Sequence, residues 1–181
     1  MSFVLESRRA EFVDIADEVS AGTPLTAPER EHYESFDLVY RMLCALMYNY
    51  VPTSGHPGGS ISSGRFVACA VFDAMDYDLS DPIRRDADIL SYAAGHKAMG
   101  LYAMLALRNE VARIAAPEIL PEREQDQLRL EDLLGFRRSP AASTPLFVAY
   151  RARALDGHPT PATPFVKLAT GASGVGVASS I

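Results

Sequence analysis

Apolar residues recur along this chain at helical spacing, and breaks in the pattern divide it. Phe12, Ile15, Ala16 and Val19 form one stripe among charged residues, which predicts an amphipathic helix over 6–20. The turn formers Ala21-Gly22-Thr23-Pro24-Leu25-Thr26-Ala27-Pro28 then break it, so 1–34 reads as an N-terminal helical arm ahead of a body over 35–181. From Ser35 the residues Phe36, Leu38, Val39, Met42, Leu43, Leu46 and Met47 are apolar nearly all round, the pattern of a buried helix over 35–50 that ends before Pro52. Arg65 to Met75 reads as a second buried helix, Ile89-Leu90-Ser91-Tyr92 as a short strand and Ala98 to Leu107 as another apolar helix. The charged stretch 118–138 carries Leu128, Leu130, Leu133, Leu134 and Phe136, which suit an exposed helix and turn with one docking face.

Phe165 to Ala169 is a second candidate strand. It runs into the glycine turn Gly171-Ala172-Ser173-Gly174-Val175-Gly176, after which Val177 to Ile181 begins like a helix. A strand, a glycine-rich turn and a new helix open an α/β phosphate-site unit, but a helix of about five residues is far too short to hold itself together. The expected class is therefore α/β, a parallel sheet flanked by helices, with the fold apparently truncated at its end. A frayed Gly/Ser-rich tail is the alternative for this segment.

Composition changes this picture little. The chain has 181 residues, 48% hydrophobic and 22% charged, a globular balance. Its net charge of -6 offers no basic footprint for nucleic acid or an anionic membrane, so any anion must be held by local donors. No apolar run is long enough for a membrane span and the N-terminus lacks a secretion signal, which makes a cytoplasmic location the expectation. Cys44 and Cys69 both lie in apolar helical stretches, where buried thiols are expected rather than a disulfide or a metal pair.

Three of the four histidines directly follow a glycine: Ser54-Gly55-His56-Pro57-Gly58-Gly59-Ser60, Ala94-Gly95-His96-Lys97 and Asp156-Gly157-His158-Pro159. With glycine at about 7% of residues, this would arise by chance roughly once in a thousand chains. Glycine permits close approach of the backbone, and imidazole donates, accepts or transfers a proton near neutral pH. Three such loops imply one polar pocket. His56 lies between two helices, His96 between a candidate strand and a helix start, where α/β proteins bind ligands, and His158 in a third loop. Acid/base and hydrogen-bonding roles suit them better than zinc, because the close ligand pairs of zinc motifs are missing. The Gly-x-x-Gly-x-Gly turn is neither a dinucleotide fingerprint nor a P-loop.

In this order and spacing, the three Gly-His loops, Leu130-Glu131-Asp132-Leu133 before Phe136-Arg137, and Thr170-Gly171-Ala172-Ser173-Gly174-Val175-Gly176 resemble the N-terminal, thiamine-diphosphate-binding part of transketolases over roughly 36–181. The resemblance implies transfer of a two-carbon ketol unit between sugar phosphates. It implies catalytic roles for His56, in proton transfer, and His158, in hydrogen bonding the donor sugar. His96 would lie by the cofactor diphosphate, with Gly171, Gly174 and Gly176 against the cofactor. Thiamine diphosphate and Mg2+ are the implied cofactors, the metal ligands being expected beyond residue 181, so that this piece is inactive alone. A homodimer, or a partner chain carrying the rest of the enzyme, is expected to cover the apolar helices 35–50 and 98–107. Ser173 and Val175 stand where the family usually has Leu and Gln. The alternatives are a deoxyxylulose-phosphate synthase-like enzyme or a noncatalytic module of the same fold.

Overall fold

A computed structural model describes residues 23–51, 55–138 and 144–171. The expected helix at 6–20 and the glycines Gly174 and Gly176 lie outside these residues.

The first described helix, α1 (Ala27–Tyr50), begins earlier than the break in hydrophobicity suggests. Thr26 and Glu29 form a capping box: the Thr26 backbone N–H donates to the Glu29 carboxylate at 2.8 Å, and the Glu29 N–H donates to Thr26 Oγ1 at 3.5 Å. With Pro28 in the first turn, these contacts satisfy the orphan donors and start the helix within the supposed arm. α1 buries Asp37, Tyr40, Cys44 and Met47 and exposes Leu38, Val39, Met42 and Leu46, so only one face is covered and the expectation of a fully buried helix fails.

Two short helices follow, α2 (Pro57–Ser62) and α3 (Gly64–Cys69), the latter running into a wider π-turn at Ala70–Ala74. The expected helix over 65–75 is thus two geometries, buried at Val67, Ala68 and Val71 but exposed at Phe66 and Phe72. Cys69 lies on the exposed side of α3, unlike buried Cys44, and both are free thiols. A Cβ on Gly64 would fall 2.3 Å from the Tyr40 ring; glycine there lets α3 close onto α1.

The core is built round α4 (Ala98–Ala115), whose residues from Ala98 through Asn109 are all buried. It is eight residues longer than the apolar run ending at Leu107. Arg108 continues it as a buried cation: its guanidinium carbon lies 4.3 Å from the centre of the Phe165 ring and 5.3 Å from that of Tyr77, while Nε and Nη2 donate to Asn109 Oδ1. The segment 118–138 forms short 3-10 turns, including Leu130–Gly135, and not the exposed helix expected. Its Leu128, Leu133 and Phe136 are buried in the core cluster. Asp132, also buried, accepts from the backbone amides of Arg129 and Arg153 and from the Arg129 guanidinium. A last short helix, α5 (Pro145–Ala149), is capped by Thr144.

Among the described residues the only β-type pairing is an isolated parallel bridge between Phe136 and Leu155. Neither 89–92 nor 165–169 forms a ladder. The second is preceded by turns in which Thr163 N–H donates to Thr160 O and Val166 N–H to Thr163 O, and Phe165 has φ 74°, outside the extended region. The two segments are nevertheless neighbours, since Thr170 Oγ1 donates to Tyr92 O at 2.6 Å. Among the described residues no helix is long and apolar enough to cross a membrane.

Candidate functional site

His56 and His96 are each placed by an irregular stretch next to a helix start, and His158 by a loop. His56 immediately precedes α2, where Pro57 begins the helix and Ser60 N–H donates back to His56 O. His96 sits in the 3-10 turn Gly95–Lys97 that leads straight into α4. His158 lies in the loop after the Leu155 bridge, its carbonyl accepting from the Tyr102 hydroxyl of α4 at 2.9 Å.

These loops bring the three imidazoles together. The His56 and His96 ring centres are 5.4 Å apart and those of His96 and His158 5.1 Å apart, both edge to face. The backbones are tied as well, because His56 N–H donates to His96 O at 3.2 Å. Gly171 closes the group from a fourth segment: a Cβ on Gly95 would lie 2.3 Å from Gly171 Cα and 2.5 Å from His158 Cδ2. Gly171 itself has φ 111°, a conformation natural to glycine. The structure thus gathers His56, His96, His158 and Gly171.

His56 and His96 are exposed and His158 is half-buried. The Nε2 atom of His158 is buried without a hydrogen-bond partner among the described residues. Such a nitrogen is costly to leave unpaired and suits a ligand that supplies the missing contact. Lys97 lies against Gly59 and Arg137 against Gly157, which puts cationic side chains beside the His96 and His158 loops. Among the described residues no group of three or more His, Cys, Asp or Glu side chains is arranged to hold a metal ion. A separate cleft of about 730 Å3 between α1 and α3 is lined by Tyr33, Phe36, Arg65 and Cys69 and includes none of the three histidines.

Sequence reading passed over two polar groups beneath this cluster, Tyr48 and Ser60. Tyr48 hydrogen bonds Ser60 Oγ at 2.8 Å, and Ser60 is fully buried. Burial raises the Tyr48 phenol above its usual range, against an opposing contribution from Ser60, so it is a neutral hydroxyl at physiological pH. The available signal was the recurrence of Tyr40, Cys44 and Tyr48 along one stripe of α1.

The chain is 31% identical over 128 residues to transketolase-like protein 2 of Mus musculus, a match covering 71% of this chain and 16% of that protein. It is 30% identical over 127 residues to transketolase of Rattus norvegicus and 31% identical over 124 residues to transketolase of Pongo abelii. The chain belongs with the transketolase-related proteins. It spans about one sixth of the length of these relatives, as the 16% and 15% coverages give. No family model and no solved structure matches.

Proposed function

We propose that this chain contributes the first part of the cofactor-binding region of a transketolase-like transferase, which moves a two-carbon ketol unit between sugar phosphates with thiamine diphosphate. The observation that carries the reading is the gathering of three Gly-His loops, two of them against Gly171, in a chain related to transketolases. The residues fit such a cofactor in two respects. The orphaned Nε2 of His158 calls for a polar ligand, and Gly58 has nothing within 4 Å of where its Cβ would stand, so a ligand can approach that loop.

When bound, thiamine diphosphate supplies the nucleophilic carbon and electron sink of the reaction. The chain's own groups bind, orient and move protons. In this reading His96 and Gly171 contact the cofactor, with Gly174 and Gly176 completing the turn, His158 hydrogen-bonds the hydroxyls of the donor sugar, and His56 takes and returns a proton. No donor set among the described residues fits Mg2+, so no step in this chain is assigned to the metal. Its ligands are proposed to lie beyond Ile181, within an α/β fold with a parallel sheet. The exposed apolar face of α1 supports assembly with a second copy or with a chain carrying the rest of the enzyme.

Calorimetric titration of the assembled protein with thiamine diphosphate and Mg2+ tests the reading. Binding is expected, with the His96→Ala variant about tenfold weaker, equal to about 1.4 kcal/mol. A folded assembly that takes up no cofactor would leave the noncatalytic alternative, for which Ser173 and Val175 speak. Activity with a ketopentose phosphate as donor, and not with pyruvate, separates the proposed reaction from that of a deoxyxylulose-phosphate synthase-like enzyme.

A further inference from the structure

We propose that Tyr48 is a positioning residue, which holds the Gly55-His56 peptide from α1 and thereby sets the spacing of the His56 and His96 imidazoles. The functional reading above is needed only to call those imidazoles functional; the positioning itself rests on three contacts. First, Gly55 lies on the edge of the Tyr48 ring: a Cβ at Gly55 would stand 2.9 Å from Tyr48 Cε1, and with φ 137° the residue adopts a backbone that side-chain-bearing residues rarely reach.

Second, the direction of the hydrogen bonds follows from proton counting. The Ser60 hydroxyl has one proton and donates it to Lys97 O at 3.3 Å, so its lone pair accepts from the Tyr48 hydroxyl at 2.8 Å. Third, Ser60 is locked in place. Its carbonyl accepts from Tyr40 OH at 2.7 Å and its N–H donates to His56 O at 3.0 Å.

The chain Tyr48, Ser60, Lys97 O therefore joins α1 to the turn bearing His96, while Tyr48, Gly55, His56 N–H and His96 O join α1 to the same turn by a second route through the His56 loop. Both routes start at one side chain. Removing its hydroxyl breaks the first route and leaves the second to act alone, so the two imidazoles lose part of their mutual reference.

The test uses the full chain labelled with 15N at histidine, without cofactor. Tyr48→Phe keeps the ring under Gly55 and deletes only the hydroxyl. It is expected to shift the imidazole 15N resonances of His56 and His96, while those of exposed His32 stay unchanged. Ser60→Ala removes the acceptor and must produce the same pattern, which keeps the test available if Tyr48→Phe fails to fold. Unchanged His56 and His96 signals in a folded variant would overturn the proposal. A changed spectrum together with absent cofactor binding would uphold it while removing the functional reading.

Discussion

Gly95→Ala is the sharpest perturbation of the site, because the new methyl group meets backbone and not the end of a flexible side chain. Its Cβ would fall 2.3 Å from Gly171 Cα, 2.9 Å from Gly171 C and 2.5 Å from His158 Cδ2. Two chain segments would have to separate, which places the cost at the upper end of overpacking, about 3 kcal/mol. The lower entropy of the unfolded chain with alanine returns up to about 1 kcal/mol, so a net loss of about 2 kcal/mol is expected. Urea unfolding followed by far-UV circular dichroism measures it. Gly58→Ala is the matched control: nothing lies within 4 Å of its Cβ, and in the first turn of α2 alanine is expected to be neutral or to stabilise by up to about 1 kcal/mol. The reasoning is refuted if the two variants unfold at the same urea concentration, since Gly95 and Gly171 would then not be in contact.

Other consequences follow from the core. Burial pushes the Cys44 thiol up to about 11 from an ordinary value near 9, against a smaller lowering by Tyr40. The unfolded chain therefore releases this proton first, and stability due to the neutral buried thiol is intact below pH 9 and lost as pH rises toward 11. In a urea-pH series, Cys44→Ala should flatten that alkaline decline, and a thiol reagent at pH 7 should label exposed Cys69 while sparing Cys44 until the chain unfolds. Asp132→Ala leaves the backbone amides of Arg129 and Arg153 without their acceptor, while the Arg129 guanidinium keeps Arg151 O and Glu124, and is expected to cost about 3 kcal/mol in the same unfolding assay. Arg108→Met keeps apolar packing against Tyr77 and Phe165 and removes a buried charge, but it leaves buried Asn109 Oδ1 without its guanidinium donors, so a loss of about 1 kcal/mol is expected, whereas Arg108→Ala, which also opens a cavity, should lose about 3 kcal/mol.

The gathering of the Gly-His loops was more legible than the fold, for a physical reason. A Gly-His dipeptide marks a bend that can present an imidazole, and His56 and His96 lead directly into helix starts that local residues build, although the bonds that draw the loops together, His56 N–H to His96 O and Tyr102 OH to His158 O, come from distant segments. Element lengths depend instead on what packs from a distance. The run ending at Leu107 looked finished because Arg108 is charged, yet two aromatic rings from remote segments bury it and α4 continues to Ala115. At Phe165 and Val166, β-favouring side chains suggested a strand, but the turns at Thr160 and Thr163 and the positive φ of Phe165 override that local preference. Apolar α1 illustrates the opposite limit: hydrophobicity reports what needs covering and not what covers it, so Leu38 and Met42 remain 58% and 63% exposed while Tyr40 and Cys44 are fully buried. Tyr48 was invisible for a related reason. Its place on the inward stripe can be read from spacing, but the buried Ser60 hydroxyl that gives its phenol a partner comes from the turn of α2, and only folding brings the two within 2.8 Å.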